Sequence, residues 1–172
     1  MPKNIKFLTI LIIGIISLSS SAHAAVDSEV SYILNTLLFL ISGFLVMWMA
    51  AGFAMLESGL VTSKSVATIA AKNIGLYSIA GLMFWLIGYN LAYGIPEGGF
   101  IGNLLPWSDT SSIEKGYSDG SDWFFQMVFC ATTCSIVSGT MAERIKIWPF
   151  FLFCAILAGI IYPIEMGWQW GG

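Results

Sequence analysis

Four stretches of this chain carry no charged residue: Ser31–Leu56, Asn73–Pro96, Trp123–Ala142 and Ile147–Ile164, which are 26, 24, 20 and 18 residues long. A helix needs about 20 predominantly apolar residues to cross a bilayer. None of the runs alternates with the period of two expected of a membrane strand. The pattern predicts an all-α, polytopic transmembrane helix bundle of four spans, at about 31–56, 73–96, 123–142 and 147–166. Composition agrees, with 57% hydrophobic and 10% charged residues where a soluble domain carries about 25% charged. The lipid bilayer is therefore the first expected partner. A net charge of −3 without a basic cluster gives no reason to expect nucleic acid.

The first 24 residues read as a separate object. Lys3 and Lys6 precede an apolar stretch, Phe7–Leu18, and Ala22-His23-Ala24 follows a serine run. This is the pattern of a cleavable signal peptide over 1–24, with Ala25 opening the mature chain. An uncleaved extra span is the alternative, and the apolar stretch is short for it. His23 is the chain's sole histidine, so cleavage leaves residues 25–172 without an imidazole for a proton relay, a metal or a triad.

Charge then orients the spans. Lys64, Lys72, Arg144 and Lys146 fall on the side that the signal peptide makes cytoplasmic. The connection from about 95 to 122 holds Glu97, Asp109, Glu114, Asp119 and Asp122 against Lys115 alone. This distribution follows the positive-inside rule, with the mature N-terminus outside. Trp107 and Trp123 sit near the ends of that loop, where interfacial tryptophans are expected.

Within the spans, Thr132, Thr133, Ser135, Ser138 and Thr140 read as residues that hydrogen-bond between helices. Asn73 and Asn90 read as partners for backbone groups of neighbouring helices. Glu57 and Glu143 lie at cytoplasmic ends, able to cap, to pair with Lys64 or Arg144, or to face a partner. Cys130, Cys134 and Cys154 read as small apolar packing residues. No metal ligands, cofactor motif or nucleophile–base pair stands out, so an enzyme is not expected.

Phe125 and Phe129 lie four residues apart and share one helical face. Phe129 sits about 9 Å inside the outer end of span three at 1.5 Å per residue. Span four runs back outward, Pro163 is expected to end its regular helix, and Trp168 and Trp170 arrive at the same mouth. Packing and interfacial anchoring are the plain alternatives. Aromatic faces gathered where water is scarce suit a small cation, because the ring quadrupole attracts positive charge.

With those residues in place, the chain resembles the ammonium transporter/methylammonium permease/Rhesus family. The likeness rests on Ala51-Gly52-Phe53-Ala54-Met55-Leu56-Glu57-Ser58-Gly59, Lys72-Asn73, Gly88-Tyr89-Asn90-Leu91-Ala92-Tyr93-Gly94 and Phe125-Gln126. It continues through Ala142-Glu143-Arg144-Ile145-Lys146 and Tyr162-Pro163-Ile164 to Trp170-Gly171-Gly172, in order and from about residue 30 onward. The resemblance implies a homotrimer of eleven-span protomers in the inner (plasma) membrane, each with a narrow hydrophobic pore. In that pattern Phe125 and Phe129 look like the phenylalanines of the outer gate, and Trp170 like the tryptophan of the external cation site. Gln126 matches a position beside the gate with no chemical role assigned.

Three departures accompany the match. Gly167 stands where many members have histidine, and Glu165 is an uncommon acidic residue near the entrance. Family members are also far longer, and the paired pore histidines would lie beyond Gly172. Residues 25–172 are accordingly expected to be the N-terminal portion of an ammonium transporter domain, inserting without transporting when expressed alone. The expected function is uptake of ammonium or methylammonium, with a cytoplasmic regulatory protein as a possible partner. The alternatives are an ammonium-sensing membrane receptor and a structural membrane subunit.

Overall fold

The computed structural model describes residues 27–170. The expected signal peptide, 1–24, and Gly171-Gly172 lie outside the described residues. Four helices long and apolar enough to cross a membrane run over Ser28–Leu60, Ser63–Tyr93, Asp119–Met141 and Ile147–Trp170. The number of spans agrees with the sequence pattern, while every boundary except the start of the fourth shifts.

Span one is a single helix, α1 (Ser28–Leu60), started by Asp27, whose carboxylate accepts from the Glu29 N–H at 3.4 Å. Span two joins a 3₁₀ turn (Ser63–Ser65), α2 (Val66–Met83), a π turn (Phe84–Gly88) and α3 (Tyr89–Tyr93). A long loop holding a second 3₁₀ turn (Ile113–Lys115) leads to span three, α4 (Asp119–Met141). Span four joins α5 (Ile147–Ile156), a π turn (Leu157–Ile161) and α6 (Tyr162–Trp170). Span one lies along span three, and span two packs on spans three and four. The core between spans two, three and four is built from Leu76, Ala80, Phe84, Met127, Ala131, Phe150 and Ala158. All three cysteines are free and buried there, as packing residues should be. Leu38, Leu45, Trp48, Ile74, Leu82, Trp148 and Leu152 face outward, the apolar surface that a bilayer requires.

The largest shift, at the start of span two, and the longer end of span one share a cause: Glu57 and Lys72, which bound uncharged runs, lie inside helices and neutralise each other. Glu57 and Lys72 are only 2% and 4% exposed, and their side chains meet at 2.8 Å. Lys72 also donates to the Ser138 carbonyl at 3.0 Å, while the Ser138 hydroxyl donates to Glu57 Oε2 at 2.9 Å. The Phe150 ring lies 5.1 Å from the ammonium, so the pair ties all four spans together. Pairing of Glu57 with Lys64 is thereby corrected. A buried carboxylate needs a buried cation, and Lys64 is exposed.

Other polar expectations are corrected too. Thr132, Thr133 and Ser135 donate to carbonyls four residues back in their own helix, the local bond that short hydroxyls reach most easily. Of that set only Ser138 crosses to another span. Asn73 donates to Ile69 O in its own helix, and Asn90 to Leu105 O and Pro106 O in the long loop.

Glu143 pairs with neither Lys64 nor Arg144; Arg144 donates to Thr140 O instead. Glu143 adopts a left-handed φ of 59° and accepts from the Thr62 amide at 3.1 Å and its hydroxyl at 2.5 Å. The Thr62 hydroxyl, then the Ser65 hydroxyl and the Thr62 amide, hold this carboxyl below the usual glutamate range. A depressed pKa in the folded state adds stability above the unfolded value and loses it as pH falls through the folded one. Protection of the Thr62 amide from hydrogen exchange is therefore expected at neutral pH, weakening on acidification. Glu143→Ala is expected to abolish it at every pH; unchanged protection in that variant would refute the cap.

Pro163 does not end the fourth span as expected. In the π turn before it, the Tyr162 N–H donates to Leu157 O instead of Ala158 O. Ala158 O would then look to residue 163, and proline has no N–H. The Cys130 thiol supplies the missing donor at 3.4 Å. Span two repeats the device: the Tyr89 N–H donates to Phe84 O, and Trp85 O takes the Trp107 N–H of the long loop at 2.8 Å. The two π turns pack against each other, so close that a Cβ on Gly88 would sit 3.1 Å from both Ala158 O and the Pro163 ring.

Candidate functional site

Beyond each π turn the helix resumes with its side chains aimed at a common space. Tyr89 and Tyr93 come from α3, and Tyr162, Met166 and Trp170 from α6, each series spaced four residues apart on one face. Asp122, Phe125, Gln126 and Phe129 form the matching stripe of α4, at the helical spacing of three and four. Phe39 of α1 and Tyr117 of the long loop complete a cavity of roughly 660 Å³.

The three residues expected at the site, Phe125, Phe129 and Trp170, thus line one cavity. The Phe125 and Phe129 rings meet edge to face, centroids 5.1 Å apart at 82°. Phe39 packs on Phe125 at 5.4 Å and on Tyr117 at 5.1 Å. Phe129 is 36% exposed and Trp170 72% exposed, so both offer ring surface to an incoming group. Trp168 does not join them. Its indole N–H donates to Phe100 O at 2.7 Å, which ties α6 to the long loop.

The carboxylate at the cavity sits at its loop end. Asp122 lies in the first turn of α4, where a helix N-terminus favours a carboxylate. It accepts from the Tyr89 hydroxyl at 2.6 Å and from the Gln126 amide at 3.2 Å. Burial raises the Tyr117 phenol, with Asp122 and Asp119 adding to the effect, so this hydroxyl stays neutral.

Sequence reasoning passed over Phe39, Tyr89, Tyr93, Tyr117, Asp122 and Tyr162. The stripe Asp122/Phe125/Gln126/Phe129 was available as a pattern, but Asp122 reads as a loop charge once a span is defined by its lack of charges. Phe39 and Tyr117 reach the cavity only through tertiary packing, which no local pattern encodes. Gly167 also gains a reason: a Cβ there would lie 2.8 Å from Ala92 O and 3.0 Å from Ile95. No side chain, histidine included, fits between α6 and α3 at that distance.

Four helices long and apolar enough to cross a membrane, with an aromatic cavity at one end, define a multi-pass membrane protein. The chain belongs to the ammonium transporter family: residues 37–172 match the family model described as Ammonium Transporter Family. Ammonium transporter Amt2 of Archaeoglobus fulgidus is 41% identical over 77% of this chain and 28% of its own length. An ammonium transporter of Aquifex aeolicus is 29% identical over 99% of this chain and 40% of its own length. The solved structure of a protein named Sensor Amt Protein superposes with a TM-score of 0.75 at 30% identity, over 84% of this chain and 36% of that one. The chain therefore spans well under half the length of these relatives.

Proposed function

We propose that this chain forms the entrance of an ammonium uptake pathway, on the outer side of the inner (plasma) membrane. The observation that carries the reading is the meeting of Phe125, Phe129 and Trp170 at one cavity. Ammonium collects between the Trp170 and Phe129 rings, where cation–π attraction offers about 0.5–2 kcal/mol. Phe125 and Phe129, stacked edge to face, bar the way inward as a gate. Ammonium can leave a proton behind before entering an apolar passage and potassium cannot, which would make the path selective. The resemblance adds a homotrimer and a cytoplasmic regulatory partner to this reading, and the outward apolar surface of α1 is compatible with packing of copies.

In the full-length protein, expressed in a cell lacking its own ammonium transporters, Trp170→Leu is expected to raise the KM for methylammonium severalfold with little change in maximal rate. Phe129→Ala is expected to change the maximal rate more than KM. Kinetics like wild type in both variants would remove the rings from the pathway.

The orientation has its own test. Single cysteines at Ser118 and Ser63, in a background without native cysteines, should react with an impermeant reagent in intact cells only at Ser118. Labelling of Ser63 would invert the topology and put the cavity on the cytoplasmic side.

A second reading, an ammonium sensor, is favoured by the likeness to a protein named as a sensor. Binding of methylammonium without saturable uptake by the full protein would decide for it.

A further inference from the structure

Among the described residues, Asp122 is a carboxylate with no cation. It is 7% exposed, and the described residues form two ion pairs, Lys72–Glu57 and Lys115–Asp119, neither of which involves it. Lys115 is the sole cationic residue of the long loop and is spent on Asp119. Buried charges are normally paired or coordinate a cation, and two neutral hydrogen bonds, from Tyr89 and Gln126, leave further lone pairs of Asp122 free. The carboxylate lines the aromatic cavity, on the face that carries Phe125 and Phe129 and about 10 Å before Phe129 along α4.

We infer that Asp122 is the anionic arm of the cavity: a site for a monovalent cation held between the Asp122 carboxylate and the surrounding rings, with Tyr89 and Gln126 positioning the carboxylate. The site deepens the ammonium reading, resting on its cavity but not on the identity of its cation. Rings alone attract a cation weakly at an exposed mouth. A carboxylate partly withdrawn from water attracts it over a longer range and more strongly. Cations would be concentrated here before they meet the Phe125–Phe129 pair. The Gln126 side chain, which donates to Asp122 Oδ1, thereby acquires a role, orienting the carboxylate without touching substrate.

The test is a titration of the detergent-solubilised protein with methylammonium and, separately, with rubidium, a spherical monovalent cation, followed by tryptophan fluorescence at constant ionic strength. Trp170→Leu identifies the reporting ring. In wild type both cations are expected to give saturable responses. Asp122→Asn is expected to weaken both by about tenfold or more, equivalent to ~1.4 kcal/mol. Asp122→Glu, which keeps the charge, is expected to restore most of the affinity, while Tyr89→Phe gives a smaller loss. Helix content and melting temperature of each variant separate binding from folding.

Equal affinities in wild type and Asp122→Asn would overturn the site and leave the ammonium reading untouched. Should Asp122→Asn fail to fold, a roughly tenfold or greater loss of affinity in a folded Asp122→Glu would overturn it too. A wild-type response to rubidium without one to methylammonium would support the site and sink the ammonium reading. No response to either cation would overturn both.

Discussion

Replacing Lys72 by Met is expected to destabilise the protein by about 3–5 kcal/mol, the usual consequence of removing one partner from a buried ion pair. The side chains are similar in length, so packing changes little and the loss is electrostatic. Glu57 would remain 2% exposed with one oxygen bonded only to the Ser138 hydroxyl and no cation nearby. Its carboxylate would have to take up a proton or pull the helix ends apart. Because the pair joins α1, α2 and α4 and touches Phe150 of α5, the damage would not stay local. Adding Glu57→Gln should return a large part of the stability, since a neutral pair no longer strands a charge. Thermal unfolding of the detergent-solubilised protein, followed by far-UV circular dichroism, measures both effects. A Lys72→Met protein as stable as wild type, or a double variant worse than the single, would show that the pair does not hold the bundle.

The same pair explains how far the sequence could be read. Uncharged runs locate four spans because hydrocarbon rejects an unpaired charge, and that rule is strong enough to count helices. It fails wherever a charge inside the membrane-length helix is paired or faces a cavity. Lys72 marks an expected boundary yet lies well within Ser63–Tyr93. Asp119 and Asp122 look like loop residues yet form the first turn of α4, one paired with Lys115 and the other exposed to the aromatic cavity. The candidate site divides along the same line. Phe125, Phe129 and Trp170 were legible from helical spacing and from the family pattern. The polar partner Asp122, and Phe39 across the bundle, depend on which faces meet. Pro163 misleads for a different reason: a proline breaks a helix only if the freed carbonyl finds no donor, and here the Cys130 thiol, 28 residues away along the chain, provides one.

That arrangement makes Gly88 the position where a small change should have a large effect. Gly88→Val would place a branched side chain where even a Cβ sits 3.1 Å from Ala158 O and 3.1 Å from the Pro163 ring, with Phe84 at 2.8 Å. Two of these neighbours are a backbone oxygen and a proline ring, which do not move aside as the end of a long side chain does. The π turns must then separate, at about 1–3 kcal/mol for overpacking in a tight core and more where backbone has to shift. Separation also moves Ala158 O away from Cys130, and Tyr89, Tyr93 and Tyr162, which follow the π turns, away from one another. A combined result is therefore expected: a lower melting temperature, and reaction of Cys130 with a small maleimide that leaves it untouched in wild type. Gly88→Ala should show the same changes in weaker form. To separate Cys130 from Cys134 and Cys154, the labelling uses a protein in which those two are replaced by alanine. A Gly88→Val protein that melts like wild type and keeps Cys130 protected would mean that the two π turns do not depend on this contact.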